Sequence, residues 1–251
     1  MDLKPRKALI ILCLLVVILT TFLFVSIRLL ARNPDEETWF NHTLRPHLAS
    51  SPALRTILGL HFDGDARSDY LGTRSVKIIV EIDAESGLTL FPQAEQELVY
   101  AMHATTGKEI EIVHSSELTP TPGGYSDNIV VELAEQHQRY HSTHDAAVFY
   151  ILVLSRSSGD EPIVGRTVQE DAAVIYEDPL SHLPGAQQAL AQASTLLHEF
   201  GHQLGLPHND HPGCLMNPEA EAGDFGTGGN LTTQFCAIEQ QQLLVIKQTI
   251  N

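Results

Sequence analysis

The sequence predicts an α/β (α+β) domain with a mixed sheet, preceded by one transmembrane helix. Three observations carry that expectation. A long uncharged apolar run lies close to the N-terminus. After it, Val- and Ile-rich strand-like segments alternate with segments of helical spacing. Hydrophobic residues make up 43% of the 251, enough for a sizeable core.

The apolar run comes first. Ala8 to Ile27 are twenty consecutive residues without a charge. At about 1.5 Å of rise per residue they span roughly 30 Å, the thickness of a bilayer's hydrocarbon core. A cleaved secretory signal has a shorter apolar core, and no small-x-small cleavage site follows this one. Residues 8–30 are therefore read as a signal-anchor helix, with 1–7 as a cytoplasmic tail. Lys4, Arg6 and Lys7 precede the run, whereas Arg28 and Arg32 follow it. That asymmetry keeps the N-terminus in the cytoplasm and places the remainder outside it.

Residues 31–70 read as a stalk or lead-in, with Pro34, Pro46 and Pro52 among polar residues. Residues 71–251 read as the folded domain. Ser75–Ala84 is a strand rich in Val and Ile. Pro92–Thr106 has helical spacing and stops at Gly107. Glu109–His114 alternates with period two and reads as a strand. Asn128–His141 forms a helix, Ala146–Ser155 a buried strand and Ala172–Tyr176 a further short strand. Gly185–Leu204 is a long helix, opened by Pro184 and closed by Gly205. A loop rich in Gly, Asn and Pro leads to a final helix over Thr233–Ile250.

Composition removes some classes of function. Acidic residues outnumber basic ones 31 to 15, a formal charge of −16, so no nucleic-acid partner is expected. Three cysteines are too few for a disulfide scaffold.

The chemistry is concentrated in Thr195–Pro218, TLLHEFGHQLGLPHNDHPGCLMNP. His198 and His202 are four apart on the long helix, so both imidazoles lie on one face and can share a metal ion. Glu199 sits beside the first histidine, where it can take a proton from a water rather than coordinate. Gly205 reverses the chain and returns His208 as a third ligand. Three neutral imidazoles leave an open fourth position, the arrangement of a catalytic rather than a closed structural site. His211 and Asp210 are alternatives to His208. His137, His141 and His144 have helix-like spacing and read as an exposed polar face or a second metal site.

His198, Glu199, His202, Gly205, His208 and the later Met216 together resemble the metzincin clan of zinc peptidases. The resemblance implies a zincin domain with a mixed, mostly parallel sheet, an active-site helix and a C-terminal helix. It implies one catalytic Zn2+ held by His198, His202 and His208, with Glu199 as the catalytic base. Gly205 and Met216 would support the site, Met216 as a hydrophobic floor. The substrate class implied is a peptide or protein, paired with an edge strand for which Ala172–Tyr176 is the candidate.

Within the clan the pattern is most similar to the archaemetzincins, which carry a cysteine directly after the third histidine and three more downstream, holding a second zinc. This chain has Asn209, Cys214, Cys236 and Glu239 at those places, so the second zinc is not carried over. With the domain outside the cytoplasm, Cys214 and Cys236 form either a disulfide or two buried thiols. The function expected is a membrane-anchored zinc metallopeptidase. The alternative is a catalytically silent, metal-binding sensor or adaptor tethered to the membrane.

Overall fold

The structure is a computed structural model. It describes residues 5–30, scattered positions between 39 and 58, residues 66–218 apart from 74, 144, 160–162 and 170, and residues 231–250. The chain divides into two compact units, Met1–Asp65 and Ala66–Asn251.

In the first unit, helix α1 covers Pro5–Leu30. Its side chains are described from Leu15 to Ile27 and at Leu30, with Leu15 to Val25 all exposed. Among the described residues no helix is long and apolar enough to cross a membrane. The spanning segment expected over 8–30 is thus not established by the fold.

The second unit runs α2 (Ala66–Leu71), β1 (Lys77–Glu85), α3 (Pro92–Thr106), β2 (Glu109–Leu118), α4 (Asp127–His137), β3 (Ala146–Leu154), β4 (Gly165–Gln169), β5 (Ala172–Tyr176), α5 (Gly185–Gln203) and α6 (Ala237–Ile250). The sheet order is β2-β1-β3-β5-β4. All pairings are parallel except β4 with β5, which is antiparallel. The expected mixed, mostly parallel sheet is therefore present, with two corrections. Ala172–Tyr176 is not an edge strand, because it lies between β3 and β4. The edge on that side is β4, which Thr167, Val168 and a glycine start did not reveal as a strand. The β4–β5 pairing follows from tertiary packing rather than local propensity.

Strand alternation splits the core into two layers. Phe149, Ile151 and Val153 of β3 face one side with Ile78, Val80 and Ile82 of β1. There they meet Leu98 and Met102 of α3, and Leu196, Leu197 and Phe200 of α5. Tyr150, Leu152 and Leu154 face the other side, against Val130 and Ala134 of α4. A period of two in β3 with both faces buried reads as one continuous apolar run, as expected for a central parallel strand.

Helix α5 carries the functional residues and is buried almost throughout from Ala191 to Gly201.

Candidate metal centre

His198 and His202 project from the last two turns of α5. The helix stops at once: the Gly205 amide donates to the His202 carbonyl at 2.9 Å and the Leu206 amide to the Gly201 carbonyl at 3.0 Å. Gly205 adopts φ 88°, a left-handed conformation that only glycine takes without strain. The chain then turns back, and His208 meets the other two rings. His208 Nε2 lies 3.1 Å from His198 Nε2 and 3.0 Å from His202 Nε2.

The tautomers follow from the partners. His198 Nδ1 lies 2.7 Å from the Leu215 carbonyl, and His202 Nδ1 lies 3.0 Å from the Leu206 carbonyl. A carbonyl only accepts, so both Nδ1 atoms carry the hydrogen and donate. Both Nε2 lone pairs are thereby directed at one point shared with His208. Tetrahedral coordination at about 2.0–2.1 Å per nitrogen separates ligand nitrogens by roughly 3.3 Å, close to the spacings found. The donor set fits a divalent cation, and the three histidines form a group that could hold one. His198 is buried, His202 half-buried and His208 exposed, so the group opens to solvent on the His208 side.

Glu199 is buried beside His198. Its Oε2 accepts a hydrogen bond of 2.7 Å from the Thr167 hydroxyl on β4. The register explains the meeting. A Cβ on Gly165 would collide with the Thr195 side chain, so β4 approaches α5 closely there. Two residues along the strand and four along the helix advance by similar lengths, about 6–7 Å, which brings Thr167 opposite Glu199. Thr167 was not foreseen, because its strand was not. A small residue two places before a threonine is too common a pattern to signal such contact.

Met216 is fully buried. A Cβ on Gly201 would collide with its sulfur, so that glycine is what lets the methionine lie against the helix. Gly201 falls inside the histidine pattern at an unassigned place, and only the packing assigns it. Cys214 and Cys236 are joined by a disulfide that closes a loop of sequence separation 22. Of the alternatives, Asp210 and His211 are exposed. His144 lies outside the described residues, and His137 and His141 belong to no described group of converging donors.

No family model and no curated protein matches the sequence. Solved structures do. Archaemetzincin from Methanopyrus kandleri superposes with a TM-score of 0.52 at 14% identity, covering 70% of this chain and 97% of that one. This chain shares that protein's fold. A zinc-dependent peptidase from Methanocorpusculum labreanum aligns at TM-score 0.44 and 16% identity, over 65% of this chain and 99% of that one. Archaemetzincin from Archaeoglobus fulgidus aligns at 0.43 and 14%, over 66% and 99%.

Proposed function

We propose that this chain is a zinc metallopeptidase anchored to a membrane by its N-terminal helix. The observation that carries the reading is the convergence of three imidazole nitrogens beside a buried glutamate. His198, His202 and His208 would hold one zinc ion, which when bound supplies Lewis acidity toward a water and a scissile carbonyl. Glu199 takes the proton of the attacking water and returns it to the leaving amine. The Thr167 hydroxyl keeps the carboxylate turned into the site. Gly205 sets the turn that returns His208, and Met216 fills the space beneath the rings.

The substrate class is a peptide. Edge strand β4 carries Thr167, so an extended chain pairing with that edge would run past Glu199. The shared fold with an archaemetzincin supports the same class. The anchor rests on the apolar run Ala8–Ile27 and on its flanking charges, which orient the N-terminus to the cytoplasm and the domain away from it.

Two experiments test this. Full-length protein should cleave a mixed peptide library in a chelator-sensitive way, and Glu199→Gln should abolish cleavage while retaining zinc. An active Gln variant would remove the base, and zinc-loaded protein that cleaves nothing would favour the silent binding module. Membranes should retain the chain through alkaline carbonate washing, and its release would remove the anchor.

A further inference from the structure

Glu239 is fully buried, at the third position of helix α6, and its two oxygens accept from four donors. One is local: the Cys236 amide, at 2.8 Å, caps the helix's own N-terminus. The other three come from the segment that carries the metal centre. The Met216 amide donates at 2.7 Å and the Leu215 amide at 3.2 Å. The Asn209 side-chain amide donates at 2.8 Å.

A helix cap needs only the first of these bonds. The others reach the supports of two of the three histidines. Leu215, whose amide Glu239 holds, offers its carbonyl to His198 Nδ1 at 2.7 Å. Asn209 follows His208 directly, and its own amide donates to the Met216 carbonyl at 2.9 Å. One buried carboxylate therefore ties the peptide that orients His198 to the residue that carries His208.

We propose that Glu239 is a positioning residue of the metal centre, fixing the direction of His198 and His208 through Leu215, Met216 and Asn209. The inference rests on the metal-binding part of the reading above, not on peptidase activity. An isosteric amide would present its NH2 group to amide donors, and the loop would have to rotate away. Outer-shell partners of metal-bound histidines typically contribute about 10–100-fold to metal affinity.

The test is metal binding by the full-length chain, with zinc affinity measured by competition with a chromophoric chelator. The absorption bands of the cobalt(II)-loaded form report the geometry of the histidines. Glu239→Gln should weaken zinc binding about 10–100-fold and shift the cobalt bands in protein that remains folded and disulfide-bonded. Asn209→Ala leaves the helix cap untouched and should move both readouts the same way by a smaller amount. A role confined to capping α6 would lower only the melting temperature. Parent-like zinc affinity and cobalt bands in folded Glu239→Gln overturn the proposal. Should that variant not fold, parent-like values in Asn209→Ala do so. A parent chain that takes up no zinc overturns the metal reading and this inference together. A parent that binds zinc but cleaves no peptide overturns only the peptidase reading, and the two variants still decide the role of Glu239.

Discussion

Two groups of potential metal donors lie close together in this chain, and they differ in where their lone pairs go. At His198, His202 and His208 the ring hydrogens of the first two are spent on backbone carbonyls, which leaves lone pairs converging on a common point. At Cys214, Cys236 and Glu239 the donors are also within ligating distance of one another. Here they satisfy each other and the backbone: the sulfurs are bonded together, and the carboxylate accepts from amides. Proximity of ligand-type residues is thus not sufficient for a metal site. What distinguishes the first group is that the Leu215 and Leu206 carbonyls take the ring hydrogens and leave the coordinating lone pairs unused.

The largest test of that contrast is on the first group. His202→Ala should remove stoichiometric metal and lower turnover by about 10³-fold or more, read by elemental analysis and peptide cleavage. A variant that keeps both would end the metal assignment.

Next, replacing Cys214 and Cys236 together by serine should cost about 3 kcal/mol, from the loop of separation 22 that the disulfide closes. Chemical denaturation gives that figure, while elemental analysis should still find one ion per chain. A ratio of two in the parent would break the comparison, since the second group would then be a metal site as well.

Thr167→Val removes the hydroxyl that donates to Glu199. A hydrogen bond to a charged acceptor contributes about 1.5–3 kcal/mol, so kcat should fall roughly 10–100-fold with metal content unchanged. An unaltered kcat would show that the glutamate is oriented by something else.

The smallest effect is expected at Gly201, where Ala would press on the Met216 sulfur. Overpacking of this kind costs about 1–3 kcal/mol, measured as a lower melting temperature. A stability equal to the parent's would mean that the methionine shifts freely and is no fixed floor.

The elements read most accurately from sequence were those with strong local punctuation. Helix α3 begins at Pro92 and stops before Gly107, at φ 75°, as its sequence predicts. Helix α5 lies between Pro184 and the Gly205 turn for the same reason. β3 was legible as an unbroken apolar run. β4 was not, because three of its five residues are polar and its partner is β5, a hairpin neighbour of similarly short length. Mistaking β5 for the edge followed directly from missing β4.

The sequence by itself determined the spacing of His198 and His202 on one helical face, the glycine turn at 205 and the return of His208, because these depend on local geometry within a few bonds. Tertiary structure alone decided which strand lies at the edge, how Thr167 reaches Glu199, why Gly201 must lack a side chain and how Glu239 gathers its donors. Those contacts join residues distant in the chain, and several of them involve backbone amides and carbonyls that nearly every residue type carries. Composition cannot mark them, and only the packing of strand, helix and loop selects which ones meet.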